Sequence, residues 1–509
     1  MSDHSTQNHE LPEPAKSPNK LAPKEWLSGL KTVNHFAQLG NQFSSKVLPL
    51  SLDNPRIVDI SPEAAAELGI DENQNTGPLV DLLNGEYLPE SFEPIAMLYA
   101  GHQFGSWVQQ LGDGRAMILA QIETPSDNMW ELQLKGAGPT PYSRQADGRA
   151  VLRSTIREYL CSEAMHALGI PTTRALALID SDTRVYREEV ETGAILLRMA
   201  ASHIRFGSFE LFASRNQPEQ VRTLADHLIE HYRPELKDDA LPYLSLYRDV
   251  IQRTADVIAD WQSVGFSHGV MNTDNMSVLG LTIDYGPFGF MEAYDPGFVC
   301  NHSDHNGRYA FNKQPDIAWW NLAALGNGLL PLLELDQAKQ AIEEFGGLYQ
   351  LAFRNRHLKK LGLVGDVPED DALIEDWLNL MTQQKVDFTN AFRALCHFST
   401  EADTPAELAD LFTNSGDFRR WLEKYTSRLA LQEVSDIDRQ RQMLSSNPKY
   451  ILRNYLAENA IVKAQQGDYS EVVKLRQILS HPFDEQREHS SYAKTTPAWA
   501  ANLSVSCSS

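Results

Sequence analysis

The sequence predicts an α+β fold, because strand-like segments lie on both sides of one amphipathic helix and a long helical region follows them. Two short apolar runs, Ala116–Ile122 and Trp130–Leu134, flank a polar turn and are typical of paired strands. Residues 149–168 have the apolar spacing of a helix, and a glycine and a proline soon follow. Two more strand-like runs come next, at Arg174–Asp180 and Gly193–Ala200.

The rest of the chain divides by pattern into helical and irregular parts. Residues 208–264 have helical patterning, residues 265–300 combine loops with short strands, and residues from about 313 to 480 are helical almost throughout. Nearer the N-terminus, Ser61 precedes a proline and an alanine-rich stretch, which is typical of a helix N-cap. The patterns predict strands mainly in the N-terminal half and helices mainly in the C-terminal half.

Composition and charge exclude several classes of protein. The 509 residues include 68 acidic and 45 basic side chains, so the net charge of −23 does not fit a duplex nucleic-acid binder. No apolar run approaches the ~18 residues of a membrane span, and the N-terminus lacks the pattern of a secretory signal. Four cysteines without a CxxC pair suggest neither a zinc ribbon nor a disulfide framework. We expect a cytoplasmic protein with no nucleic-acid or membrane partner.

Three features of the strand-and-helix region suggest nucleotide chemistry. A glycine turn, Gln110–Arg115, opens a strand, and its backbone N–H groups and arginine are suited to phosphate. Lys135 ends the next strand, as does the lysine that holds nucleotide phosphates in kinases. Glu158 lies on the predicted helix and could pair with Lys135. Taken alone, the turn is better explained as an ordinary hairpin turn and Lys135 as a surface lysine, and a solvated helix face is a common explanation for Glu158.

Two loops rich in Asp and Asn follow, where a kinase-like enzyme carries its base and its metal ligands. Asn275 and Asp284 offer the hard oxygen ligands that Mg²⁺ prefers. His268 precedes Asn275 by the spacing of a kinase catalytic loop, but Val270 stands where the usual base would be. Asp274 is the nearest substitute. Such loops are often only turns, but their occurrence after the three earlier features favours a nucleotide site.

Two arginines at strand ends extend this hypothesis. Arg198 lies near the end of a strand-like run, and Arg205 follows shortly after it. Their guanidinium groups could bind phosphate oxygens bidentately. Two surface arginines would explain the local sequence equally well.

Three long motifs and the C-terminus carry a resemblance to a known family. The motifs are long and specific, and the similarity extends over nearly the whole chain after the N-terminal tail. The chain resembles the selenoprotein O family of kinase-fold proteins, and Cys507 in place of selenocysteine resembles the cysteine-containing bacterial form. The motifs are YAGHQFGSWVQQLGDGRA (99–116), ELQLKGAGPTPYSRQADGRAVLRSTIREYLCSEAMHALGIPTTRAL (131–176) and SHGVMNTDNMSVLGLTIDYGPFGFMEAY (267–294).

The resemblance implies a bilobal protein-kinase-like fold with an extended, mostly helical C-terminal lobe. It also implies a protein adenylyltransferase, which transfers AMP from ATP to Ser, Thr or Tyr hydroxyls of protein substrates with Mg²⁺ or Mn²⁺. ATP would be flipped relative to its orientation in ordinary kinases, and UMP transfer from UTP stays open. The expected regions are a disordered tail at 1–25, an N-lobe-like nucleotide-binding region at 26–205, a C-lobe with the catalytic and metal-binding loops at 206–482 and a tail at 483–509.

The resemblance also implies roles for individual residues. Lys135 would form an ion pair with Glu158, Asn275 and Asp284 would bind the metal, and Asp274 would accept the proton. The nucleotide would be contacted by Gly112, Gly114, Arg115, Lys135, Asp147, Gly148, Arg198 and Arg205.

The resemblance further implies a redox pair, Cys300 and Cys507, whose disulfide would tie the C-terminal tail to the loop after Asp284 and gate substrate access. Two free thiols are equally compatible with a reducing cytoplasm. The cluster from Cys300 to His305 also has close zinc-ligand spacing, but no second half of a zinc site is evident, so an ordinary loop is preferred.

Two other functions stay open at this point. A conventional kinase would need a base for γ-phosphate transfer, and Val270 disfavours it. A nucleotide-binding scaffold without catalysis would not need two metal ligands, which disfavours the scaffold.

Overall fold

The computed structural model describes residues 27, 29–70, 77–124, 126, 128–365, 367–500, 503 and 505. The predicted tail at 1–25 lies outside the described residues. Within them, the chain is a mixed α/β protein with an antiparallel sheet and many helices, which confirms the predicted α+β class.

The main sheet has nine strands among the described residues, and all of its pairs are antiparallel. The strands are β1 (Lys31–Thr32), β2 (Ser44–Lys46), β3 (Arg56–Ile60), β4 (Ile95–Met97), β5 (Gly101–Gln103), β6 (Ser106–Val108), β7 (Ala116–Glu123), β8 (Met129–Lys135), β9 (Ala150–Val151), β10 (Arg174–Tyr186), β11 (Val190–Ala200), β12 (Phe266–Ser267) and β13 (Gly289–Phe290). The order in the main sheet is β2-β4-β7-β8-β11-β10-β3, with β1 beside β7 and β9 beside β11. Outside this sheet, β5 pairs with β6 and β12 pairs with β13.

The four strand-like runs of the sequence are confirmed as β7, β8, β10 and β11. The strands before β7 were not predicted. They are two to five residues long, and such segments are too short to show a clear alternation of apolar and polar residues. Tertiary pairing with longer strands therefore decides their conformation.

Helices make up most of the chain after the sheet. They are α1 (Pro62–Glu67), α2 (Gly77–Leu83), α3 (Leu152–Ala167), α4 (Phe206–Ser214), α5 (Pro218–Tyr232), α6 (Pro242–Ser263), α7 (Gln314–Leu329), α8 (Leu335–Lys360), α9 (Asp370–Gln384), α10 (Phe388–Leu395), α11 (Ala406–Ala409), α12 (Ser415–Leu429), α13 (Asp436–Leu444), α14 (Asn454–Ala464) and α15 (Ser470–Leu479). Among the described residues, none of these helices combines the length and apolar character that a membrane crossing requires.

Two local predictions about helix starts can be compared with the structure. Ser61 is the N-cap of α1, since its hydroxyl accepts a hydrogen bond from Ala64 N at 3.2 Å. The helix predicted at 149–168 is α3, which begins at Leu152 because Ala150 and Val151 pair with β11 instead.

Helix α3 is held by the sheet on one side and by the C-terminal helices α14 and α15 on the other. Arg153 pairs with Glu458 of α14 at 2.7 Å. Arg157, buried in the middle of α3, donates to Phe288 O at 2.9 Å, in the segment that precedes β13. The helical C-terminal part therefore fixes the position of the helix that carries Glu158.

Candidate active site

One cavity of about 570 Å³ lies between the β7, β8 and β11 strands of the sheet and the loops that follow α6. It brings together most of the residues that the sequence singled out. Glu158 and Arg205 do not line it, but both contact residues that do. The predicted residues that line it are Gly112, Gly114, Arg115, Lys135, Asp147, Gly148, Arg198, Asp274, Asn275 and Asp284.

Strand register places the first cations of the site. Side chains two apart on a strand share a face, so Gln133 and Lys135 of β8 lie on one side of the sheet. Arg198 of β11 is directly opposite Gln133, and its Nε donates to Gln133 Oε1 at 3.0 Å. The carboxylate of Glu158, on α3, forms ion pairs with both cations: its Oε2 lies 2.5 Å from Lys135 Nζ, and its Oε1 lies 2.8 Å from Arg198 Nη1. The predicted pairing of Lys135 with Glu158 is present.

Asp284 connects these strands to the loops. Its Oδ1 lies 2.7 Å from Arg198 Nη1 and 3.7 Å from Lys135 Nζ, and its Oδ2 lies 2.9 Å from Arg205 Nη1. Burial alone would raise the pKa of Asp284, but the three cations outweigh it and hold that pKa well below its usual range. Asp284 has φ +58°, in the left-handed region that non-glycine residues rarely adopt.

Basic side chains outnumber acidic ones in the lining of the cavity, by six to four. Burial lowers the pKa of Lys135, and Glu158 and Asp284 oppose that shift. Four more arginines face the same space, and within the part of the chain that the structure describes only Arg187 has a carboxylate partner, Asp147 at 2.8 Å. Such a lining suits an anion with several charged groups. The four arginines are Arg115, Arg144, Arg149 and Arg187.

Two glycines permit the close backbone approach that shapes the cavity wall. Gly112 has φ +141°, and a Cβ there would lie 2.5 Å from the ring of Tyr142. Gly148 has φ +67°, and a Cβ there would lie 2.2 Å from the carbonyl carbon of Gly138. A larger residue at either position would displace its neighbour.

Asp274 occupies a short 3-10 turn, Thr273–Asn275, at the cavity's edge. Its Oδ2 accepts a hydrogen bond from Gln103 Nε2 at 3.2 Å, and its backbone carbonyl accepts one from Arg205 at 2.8 Å. Its Oδ1 is buried and has no hydrogen-bond partner among the described residues. Burial raises the pKa of Asp274 to about 6, although Gln103 and Arg205 act in the opposite direction.

Asn275 and Asp284 are chemically suited to a magnesium ion. Asn275 Nδ2 donates to Val270 O at 2.9 Å, which leaves its amide oxygen available as a ligand. Mg²⁺ is usually held by one or two side-chain oxygens together with substrate phosphates and water, so two protein ligands are sufficient. In the described part of the chain, no cluster of three or more His, Cys, Asp or Glu side chains is placed to hold a metal by itself.

His268 has a structural role in this arrangement. Its ring is buried, stacks on Trp261 with 5.3 Å between ring centroids, and its Nε2 lies 2.9 Å from Ile283 O. The histidine thus ties the loop before Asp274 to the segment before Asp284. Val270, at the position of the usual kinase base, lines the cavity with an apolar side chain.

The sequence analysis missed several residues that shape the site. Asp113, between the two glycines of the turn, is buried and accepts a hydrogen bond from Met97 N at 3.1 Å. Gln133 supports Arg198, and the alternation of β8 could have revealed it. Gln103 contacts Asp274, and Asn272 contacts Phe104. The partners in each pair are far apart in the sequence, so no local signal marks Gln103 or Asn272.

Of the two cysteines expected to form a redox pair, the structure describes Cys300 but not Cys507. Cys300 is buried, its Sγ lies 3.4 Å from Ser267 O, and burial raises its pKa to about 12. Cys507 lies outside the described residues. Val505 lies within them, and its carbonyl accepts a hydrogen bond from His302 N at 2.9 Å, close to Cys300 in the chain.

Comparisons with known proteins agree over nearly the full length. The sequence model of the family described as protein adenylyltransferase SelO matches residues 27–480. The chain is 53% identical over 490 residues to the protein nucleotidyltransferase YdiU of Thioalkalivibrio sulfidiphilus, which covers 95% of this chain and 99% of that protein. For the protein of the same name from Thiobacillus denitrificans, the identity is 52% over 488 residues, with 95% and 99% covered. For that of Myxococcus xanthus it is 48% over 486 residues, with the same coverage.

The contribution of the Glu158 carboxylate to stability can be tested by substitution. Glu158→Gln should lower the free energy of unfolding by about 3 kcal/mol, because Lys135 and Arg198 are both buried and lose a counter-charge. Urea unfolding at neutral pH measures this change. Glu63→Gln is the matched control, since Glu63 is half-exposed and lies 3.7 Å from Arg476, and it should cost less than about 1 kcal/mol. Equal costs for the two variants would contradict the account of the buried network.

Proposed function

Because this chain belongs to the protein adenylyltransferase SelO family and is a nucleotidyltransferase, we propose that it transfers AMP from ATP to Ser, Thr or Tyr hydroxyls of protein substrates. The observation that carries the proposal is the shared cavity: a glycine turn, the paired Lys135, the buried Arg198 and the carboxylates of Asp274 and Asp284 all face one space. Nucleotide phosphates are the ligand that matches this set.

The nucleotide's phosphates would bind to the cationic side of the cavity. Lys135 and Arg198 are held in place by Glu158, so their donors are oriented before a ligand arrives. Arg198 and Arg205 both hold Asp284, and phosphate oxygens would compete for the same guanidinium donors. The turn at Gly112 and Gly114, with Arg115, and the wall at Asp147 and Gly148 would contact the remainder of the nucleotide.

Asn275 and Asp284 would hold Mg²⁺ or Mn²⁺, which stabilises the charge that develops on the phosphates during transfer. Asp284 keeps its carboxylate ionised through its contacts with the three cations, and an ionised carboxylate is what a divalent ion needs. The amide oxygen of Asn275 would supply the second protein ligand.

Asp274 would accept the proton of the attacking hydroxyl. The acceptor oxygen forms a bond to the α-phosphorus, the bond from that phosphorus to the bridging oxygen of pyrophosphate breaks, and the hydroxyl proton moves to the carboxylate. This requires the α-phosphate rather than the γ-phosphate to lie beside Asp274. The family resemblance implies a flipped orientation of ATP, which would bring the α-phosphate to this position.

We also propose that the fold is a kinase-like pair of lobes. Residues 26–205 would form the N-lobe, which contributes the sheet, α3 and the cationic residues up to Arg205. Residues 206–482 would form the C-lobe, which contributes Asp274, Asn275 and Asp284. The cavity lined from both regions supports this division.

The transfer reaction is tested by mass. The wild-type chain is incubated with ATP and Mg²⁺, alone and with proteins of a bacterial lysate, and modified peptides are mapped. We expect AMP adducts on Ser, Thr or Tyr, and Asp274→Asn and Asp284→Asn should each lower the initial rate by at least about 10²-fold, because they remove the proton acceptor and a metal ligand. Asp336→Asn, which changes an exposed carboxylate of α8, is the control and should keep the wild-type rate.

Each other result identifies a different function. Phosphate adducts instead of AMP adducts would mean conventional kinase chemistry. Nucleotide binding without any adduct would mean a scaffold. A parallel incubation with UTP tells whether UMP is transferred, since the protein contacts to the phosphates would be the same for both nucleotides.

We further propose that a disulfide between Cys300 and Cys507 gates this site. Val505 bridges to Asn301, next to Cys300. Two residues of extended chain span about 7 Å, so the tail beyond Val505 is long enough to bring the two sulfurs together. The bond would fasten the tail to the loop that follows Asp284, and acceptor proteins would lose access to that side of the cavity.

Oxidised glutathione tests the gate. It takes two electrons from the two thiols, so that one disulfide forms and two molecules of reduced glutathione leave. We expect oxidation to lower the rate of AMP transfer to protein acceptors in the wild type, and Cys507→Ser to abolish that response. Cys396→Ser, at a buried cysteine of another core, should respond as the wild type does. An unchanged redox response in Cys507→Ser would contradict the gate.

A further inference from the structure

A short hairpin, β5 and β6, lies against the turn that carries Asp274. On one side of Gln103, His102 N donates to Thr273 Oγ1 at 2.7 Å. On the other side, Phe104 N donates to Asn272 Oδ1 at 3.0 Å. Two backbone contacts to consecutive residues of the loop therefore fix the position of Gln103 relative to Asp274.

The tip of this hairpin has a strained backbone that its contacts maintain. Phe104 has φ +51°, which is unfavourable for a bulky side chain. Tyr309 contacts both Asn272 and Phe104, since its hydroxyl donates a hydrogen bond to Asn272 Oδ1 at 2.6 Å and accepts one from Phe104 N at 3.1 Å. Strain of this kind persists where surrounding contacts impose it, and it occurs most often at functional sites.

The side chain of Gln103 reaches the carboxylate itself. Its Nε2 donates to Asp274 Oδ2 at 3.2 Å, so one carboxylate oxygen is held by the hairpin. The other oxygen, Oδ1, has no hydrogen-bond partner among the described residues although it is buried. A buried oxygen without a donor is costly, and an incoming hydroxyl would satisfy it.

We propose that Gln103 is a positioning residue that orients Asp274, so that Oδ2 is occupied by the carboxamide and Oδ1 faces the acceptor hydroxyl. This inference rests on the proposed transfer reaction. In that reaction, the hydroxyl proton moves to Oδ1 while the acceptor oxygen bonds to the α-phosphorus and pyrophosphate leaves. Gln103 exchanges no proton, and its contribution is to fix the rotation of the carboxylate.

A purely structural role for Gln103 predicts a different outcome from a positioning role. Gln103 also lines the nucleotide cavity, so a variant that only disturbs the hairpin would weaken nucleotide binding or lower stability as well. A variant that only misorients Asp274 would slow the transfer step and leave ATP affinity unchanged, because the cationic residues that bind the phosphates are not altered.

Two variants of similar shape separate these roles. Gln103→Met removes the donor, and Gln103→Glu replaces it with an acceptor that repels the carboxylate of Asp274. For both, we expect kcat for AMP transfer to fall by about 10²-fold. For Gln103→Met, which adds no charge to the cavity, the Kd for ATP and the midpoint of thermal unfolding should stay within error of the wild type. Gln109→Met is the matched control, since Gln109 is an exposed glutamine just after the same hairpin, and it should keep the wild-type kcat.

The outcomes that overturn the inference are distinct from failure of the proposed function. A wild-type rate in Gln103→Met would show that the carboxamide is dispensable. A parallel loss of kcat, ATP affinity and thermal stability would assign Gln103 a structural role. A wild-type chain that binds ATP but transfers no AMP would overturn both this inference and the proposed reaction.

Discussion

A buried network of opposite charges is the constraint on which the rest of the site depends. Lys135 and Arg198 from the sheet, and Arg205 from the segment after it, share the carboxylates of Glu158 and Asp284. A buried charge is tolerated only when it is paired, so the sheet, helix α3 and the loop of Asp284 must meet in one relative position. In the proposed reaction the same cations would bind the phosphates of the nucleotide, so stability and binding would depend on the same contacts.

The C-terminal helices extend this constraint across the molecule. Arg476 of α15 forms a buried ion pair with Asp59 of β3 at 2.6 Å, which joins the C-terminal helices to the sheet. Arg453, just before α14, pairs with Asp387, just before α10, at 2.8 Å, which joins two of the helices to each other. The pair of Arg476 with Asp59 and the contact of Arg153 with Glu458 hold the C-terminal helices against the sheet and α3. The C-terminal helices thus support the orientation of Glu158, although none of the five side chains of the ion network lies in these helices; the five are Lys135, Glu158, Arg198, Arg205 and Asp284.

Regular patterns in the sequence predicted the long elements, whereas contacts between distant residues determined the remainder. The strands β7, β8, β10 and β11 and the helix α3 are long enough for periodicity to reveal them. The pairing of Lys135 with Glu158 was expected from the arrangement in kinases and from the family resemblance rather than from periodicity, and their side-chain atoms lie 2.5 Å apart. Gln103 and Asp274 are 171 residues apart, so their hydrogen bond has no local sequence signature. The short strands before β7 and the burial of Asp113 likewise depend on tertiary packing rather than on propensity.

A crystal structure of the chain with a non-hydrolysable ATP analogue and Mn²⁺ would test the central claim most directly, since anomalous scattering locates the metal. The account predicts Mn²⁺ beside Asn275 and Asp284, the phosphates against Lys135 and Arg198, and the α-phosphorus as the phosphorus nearest to Asp274. A γ-phosphorus in that position, as in an ordinary kinase, would contradict the proposed transfer of AMP.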